Sequence, residues 1–164
     1  MKTLLLLRHA KSSWKDGDLD DHDRPLNKRG KRDAPRMGRL LADERLLPDL
    51  ILCSTAKRCR KTAEHVIAAS GYRGDTRITG ELYEADGANL RESLAGVSEQ
   101  PASILLIAHN PGMEELLESL TGLYTPLTTA ALAQVEMPID HWRDLTDQTR
   151  GRLIRLWQPR ELES

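Results

Sequence analysis

The stretch Thr3-Leu4-Leu5-Leu6-Leu7-Arg8-His9 constrains the fold of this chain more than any other. Four consecutive leucines are too few to cross a membrane, but they suit a strand buried on both faces. In α/β folds such runs are parallel strands with helices packed above and below. Arg8 and His9 then stand where the strand leaves the core, and ligands of open α/β sheets bind just beyond the carboxyl ends of strands. A cation and an imidazole at that point suit an anion. The design returns in Ser103-Ile104-Leu105-Leu106-Ile107-Ala108-His109. If the two strands lie side by side and parallel, both imidazoles open into one cleft.

The 164 residues fit a single domain over 1–164. A formal net charge of −1 argues against bulk nucleic-acid or membrane-surface binding, so a basic cluster here is local and aimed at a small anion. The leading apolar stretch stops at Leu7, short of a signal-peptide core, and Arg8 and Lys11 follow at once. No later run approaches a membrane span. Cys53 and Cys59 form neither a CxxC pair nor a secreted disulfide framework. A cytoplasmic protein with both thiols reduced is expected.

Taken in order, residues 10–24 are polar and dense in aspartate, and read as a flexible acidic loop. Asn27 is placed to cap a helix with an apolar stripe at Ala34, Met37, Leu40 and Leu41. Pro35 predicts either a kink or a helix that properly begins near it. Leu50–Cys53 reads as a second buried strand. Ser54 can cap the helix after it, roughly Ala56 to Ser70, closed by Gly71. Thr76–Leu82 is a third candidate strand, and Asn89–Val97 has the spacing of a short helix. After strand Ser103–His109, Asn110 reads as a helix cap with Pro111 at the first helical position; that helix ends before Gly122. Ala131–Met137 and Arg152–Trp157 read as strands at the antiparallel edge of the sheet. Strands alternating with helices predict an α/β sandwich.

Three strand ends carry the chemistry: Arg8-His9, Ser54 through Arg58, and His109-Asn110. Arg58, one turn into the second helix, can reach back over the strand ends. Guanidinium groups hold phosphate bidentately and never lose their charge. Helix starts at Ser54 and Asn110 would add backbone N–H donors for phosphate. A neutral imidazole can attack phosphorus and split one hard step into two. Arginines and a second imidazole would stabilise the charge on the equatorial oxygens.

At these residues a family resemblance becomes specific. Arg8-His9-Ala10-Lys11-Ser12, Leu26-Asn27-Lys28-Arg29-Gly30, Ser54-Thr55-Ala56-Lys57-Arg58 with Thr62-Ala63, and Ala108-His109-Asn110-Pro111-Gly112 resemble the histidine phosphatase superfamily, in the family's order. The short chain and the Arg-His-Ala-Lys-Ser start are similar to its SixA-type phosphohistidine phosphatases. The resemblance implies a phosphoglycerate mutase-like three-layer α/β sandwich, with a mixed, mostly parallel central sheet and helices on both faces. It implies His9 as nucleophile, Arg8 and Arg58 as phosphate clamps, His109 as the second histidine of the pocket, and no metal or organic cofactor. Ala10 departs from the glycine of many superfamily members, a change shared with the SixA-type branch.

Other readings of single residues are weaker. Ser54 is a helix cap rather than a nucleophile, although with Asn110 it stands where substrate phosphate binds. His22 among aspartates lacks regular metal-ligand spacing. Cys53 followed by Arg58 is one residue too short for a cysteine phosphatase loop, and no phosphate loop of the Gly-x-x-x-x-Gly-Lys type occurs. Superfamily members carry an acid in a Leu-x-Glu context after the third strand, and Leu82-Tyr83-Glu84 fits it. Glu84 is then either that acid or a surface carboxylate, with Glu81 as competitor. From Glu84 to Ser103 the chain is short, which leaves little room for an inserted lid over a small substrate. The expected substrate is therefore phosphohistidine on a partner protein. The alternatives are a small phosphorylated molecule, in a phosphomonoesterase or phosphomutase, and a non-catalytic phosphate-binding module.

Overall fold

The computed structural model describes residues 1–162. Its core is one six-stranded sheet of β1 (Lys2–Arg8), β2 (Leu50–Ser54), β3 (Asp75–Thr79), β4 (Ser103–Ala108), β5 (Leu132–Met137) and β6 (Arg152–Trp157). The strand order is β3-β2-β4-β1-β5-β6. The first four strands run parallel, and β5 and β6 are antiparallel to their neighbours. Four helices alternate with the parallel strands: α1 (Lys28–Asp43), α2 (Lys57–Ser70), α3 (Gly87–Ala95) and α4 (Gly112–Thr121).

The leucine run explains the layering. Side chains of a strand alternate between faces. Leu5 and Leu7 pack with Met37 and Leu41 of α1 and Val66 of α2, whereas Leu4 and Leu6 pack with Leu90 of α3 and Leu117 of α4. All four leucines are at most 1 % exposed, so neither face of β1 meets water. At about 2 kcal/mol for each buried leucine, the run holds β1 in the middle of the sheet. The outcome is a mixed sheet between two helical layers, as the resemblance implies. Between β3 and β4 lie only a 3-10 turn at Gly80–Leu82 and α3, which packs on α4. No helix of the described residues is long and apolar enough to cross a membrane.

Several local expectations are corrected. Asn27 does cap α1, accepting from Gly30 N at 2.9 Å, but the helix runs through Pro35 instead of beginning near it. The third strand ends at Thr79, and its expected last residues form the 3-10 turn. Ala56, not Ser54, holds the cap position of α2, and Pro111, not Asn110, that of α4. Ser54 and Asn110 have other partners, described below. The acidic loop is not simply solvated: Asp21–Asp23 forms a 3-10 turn with tertiary hydrogen bonds.

Candidate active site

Parallel pairing of β1 with β4 sets Arg8 opposite Ala108, so His9 and His109 leave the sheet at matching positions. Their ring centroids are 5.4 Å apart. Both line a cleft of about 210 Å³ together with Arg8, Lys11, Ser12, Trp14, Arg24, Arg58, Asn110 and Thr129. Four of these residues are cations and none is a carboxylate.

His9 is 7 % exposed, and its Nδ1 lies 2.8 Å from the Ala10 carbonyl oxygen. A carbonyl only accepts, so Nδ1 carries the proton and the lone pair is on Nε2. Burial pushes the imidazole down to about 3, helped by the charges of Arg58 and Arg8, so at neutral pH the ring is uncharged. The peptide after it is fixed in turn. Ala10 N donates to Thr62 Oγ1 at 3.0 Å, and Thr62 donates to the Arg58 carbonyl at 2.7 Å. Gly30 is required here, because a Cβ at that position would run into the Lys11 carbonyl, which also accepts from Asn27 N.

His109 is held differently. Its Nδ1 lies 3.3 Å from Arg58 Nη2, which can only donate, so the ring proton is on Nε2 and goes to Ser54 Oγ at 2.8 Å. Ser54 is fully buried and absent from the cleft wall: it orients His109 and also accepts from Ala56 N at 3.3 Å. Burial, then the Arg58 charge, lowers the His109 imidazole to about 4. The neighbouring Cys59 thiol is raised by burial to about 12 and is inert as a nucleophile.

The guanidinium groups are anchored from behind. Arg8 Nη1 donates to the Leu127 carbonyl at 3.0 Å, and Asn110 Nδ2 donates to the same oxygen at 2.9 Å. Leu127 N donates to Glu114 Oε2 at 2.7 Å. Arg58 Nη1 donates to the Asp21 carbonyl at 2.8 Å and Nη2 to Asp21 Oδ2 at 3.0 Å. Tyr83 donates its hydroxyl to that same Oδ2 at 2.6 Å. The Tyr83 hydrogen bond, as the largest single cause, holds the Asp21 carboxyl down to about 2 together with Arg58 and Arg24. The buried Nε atoms of Arg8 and Arg58 and Oδ1 of Asn110 have no protein partner. The two guanidinium Nε–H groups, as unpaired buried donors, fit an anion's oxygens, whereas Asn110 Oδ1 is an acceptor and does not.

His9, His109, Arg8, Arg58 and Asn110 are thus gathered on one cleft, with Ser54 behind it. Glu84 is exposed, adopts φ 57° and is not among the cleft-lining residues; neither is Glu81. It follows Tyr83, whose ring lies 5.5 Å from that of His109. Sequence reasoning missed Asp21, Tyr83, Arg24 and Trp14. Only the Asp-His-Asp-Arg-Pro-Leu run hinted at the first, and five aspartates in the loop masked it. His22 bonds Thr55 Oγ1 at 2.8 Å, and no group of three or more potential metal ligands occurs among the described residues.

Comparison with known proteins identifies the family and the fold. The model of the histidine phosphatase superfamily (branch 1) matches residues 4–114. An uncharacterized protein of Mycobacterium leprae is 34 % identical over 161 residues, 96 % of this chain and 94 % of its own. The crystal structure of Agrobacterium tumefaciens SixA, assigned as a phosphohistidine phosphatase, superposes with a TM-score of 0.83 at 33 % identity, covering 96 % of this chain and 98 % of that one. A SixA protein histidine phosphatase complexed with tungstate has the same fold at TM-score 0.84 and 23 % identity, over 98 % and 99 % of the two chains. With a family match over most of its length and the SixA architecture throughout, the chain belongs to the histidine phosphatase superfamily.

Proposed function

We propose that the protein is a phosphatase that works through a phosphohistidine on His9, and that its substrate is phosphohistidine on a partner protein. The observation that carries the reading is the His9–Ala10 hydrogen bond, which makes Nε2 an unprotonated, uncharged nucleophile inside a cationic cleft. Nε2 attacks phosphorus, the bond from phosphorus to the leaving nitrogen breaks, and that nitrogen takes the electron pair and a proton. Water then attacks the phosphoryl group on His9, the P–Nε2 bond breaks, and inorganic phosphate leaves with His9 neutral again. Arg8 and Arg58 receive the spread charge of the phosphoryl oxygens, and their anchoring to Leu127 and Asp21 means little reorganisation is needed at that moment. A dianion in the cleft lessens the part of the His109 depression that comes from the Arg58 charge, while the burial that is its leading cause remains.

Two features support phosphohistidine over an alkyl phosphate. An imidazole has a pKa near 6.5, so solvent can protonate it as it leaves, whereas an alkoxide needs a positioned acid. No carboxylate lines the cleft. The short segment between β3 and β4 also leaves the cleft without an inserted lid, as a protein-borne substrate requires. The assignment of its SixA relative from Agrobacterium tumefaciens points the same way. Glu84 is proposed as an acid used only for poor leaving groups, reached from its place beside Tyr83. Neither metal nor organic cofactor takes part in the proposed reaction, and the protein is proposed to act in the cytoplasm.

The test is to trap the enzyme with a labelled phosphoramidate donor. Acid-labile, base-stable label on His9 is the expected result, lost with turnover in His9→Asn. Normal turnover by that variant would refute the mechanism. Faster wild-type hydrolysis of a phosphomonoester than of a phosphohistidine protein would refute the substrate assignment.

A further inference from the structure

Trp14 is 72 % exposed, the most water-facing large apolar side chain of the molecule alongside Leu123, yet it is part of the cleft wall that includes His9. An indole offers roughly 150–250 Å² for burial, and leaving it in water forgoes that stabilisation. It is also not loose. The guanidinium carbon of Arg24 sits 3.5 Å from the ring centroid, covering one face. Arg24 is itself buried and immobilised: Nη1 donates to Ser12 Oγ at 2.7 Å, and Nε donates to Asp21 Oδ1 at 3.1 Å. The same Asp21 anchors Arg58, so the backing of the indole and the phosphate clamp share one carboxylate.

We infer that Trp14, braced by Arg24, is a specificity-determining platform on which the planar leaving group of the substrate stacks while its phosphoryl group sits against His9. The open face of the ring provides apolar, offset-stacking contact for an aromatic or heteroaromatic ring and little for a short aliphatic group. A rigid backing matters because a ring already held in place loses no further rotamer freedom on binding. An aromatic pair is worth about 0.5–1.5 kcal/mol beyond its area, so preference between planar and non-planar ligands should approach about tenfold.

This inference rests on the reading above only in placing a phosphoryl group in the cleft, and binding tests it apart from catalysis. Phenylphosphonate and methylphosphonate share a headgroup that cannot be hydrolysed and differ in the planar ring. Calorimetric titration of the wild type is expected to give a Kd for phenylphosphonate several-fold to about tenfold lower than for methylphosphonate. The ratio should fall to near one in Trp14→Ala and be largely kept in Trp14→Phe, which retains a ring. Equal affinity for the two in the wild type, or a ratio that survives Trp14→Ala, would overturn the platform. A ring preference that depends on Trp14 without any hydrolysis of phosphorylated substrates would uphold it while sinking the phosphatase reading.

Discussion

His9 and His109 are the same residue at matching strand ends, yet different partners fix their protons: a neighbouring carbonyl for one, Arg58 and Ser54 for the other. Both imidazoles are lowered below the unfolded value, so as pH falls through about 6.5 the unfolded chain binds protons that the folded chain refuses. Stability from these groups is complete above that pH and is lost on acidification, by on the order of a few kcal/mol near pH 4. Denaturant titrations at about pH 7.5 and about pH 4.5 should show the loss, and His9→Asn should flatten it. An unchanged slope in the variant would mean His9 is not its source. Arg58→Lys keeps the charge but cannot bond Asp21 at two atoms and also face phosphate. A fall in kcat/KM of about a hundredfold is expected, and a change under twofold would remove Arg58 from the clamp. His9, Arg8, Arg58 and His109 were legible because each sits at a fixed offset from a strand. Asp21 was not, since nothing local separates it from Asp16, Asp18, Asp20 or Asp23; only tertiary contact with Arg58 and Tyr83 selects it.

At the level of elements, the strands read well because burial on both faces leaves an uninterrupted apolar run. Helix starts read less well, and the reason is chemical. Ser54 and Asn110 have the side chains of caps, but His109 Nε2 and the Leu127 carbonyl recruit them instead. Pro35 also lies within a continuous helix, whose packing on α2 and the sheet outweighs the lost hydrogen bond. The junction of α1 with the segment after His9 is the most sensitive of these contacts. Gly30→Ala would force the Lys11 backbone away. A loss of about 1–3 kcal/mol in chemical denaturation is expected, with a fall in kcat larger than the rise in KM. Wild-type stability in that variant would show that the backbone yields at no cost.

For the molecule as a whole, the proposed substrate class rests on the absence of an inserted segment over the cleft and on a carboxylate, Glu84, that stands outside its wall. Glu84→Gln is expected to depress turnover of a phosphomonoester severely and to leave a phosphohistidine protein nearly unaffected. Equal, severe losses on both substrates would make Glu84 an obligatory acid. The hydrogen bond from Arg8 to Leu127 has a wider meaning. It joins residues 119 positions apart, while Arg58 meets His109 across 51 and Ala10 meets Thr62 across 52. Contacts so distant in sequence form late, after the loop-closure entropy of the intervening chain has been overcome. The geometry of the cleft therefore depends on the same long-range pairing that closes the sheet, in which β1 meets β4 and β5. A nascent chain that has not yet released residue 127 from the ribosome carries both arginines and both histidines, but it lacks the carbonyl to which Arg8 Nη1 donates.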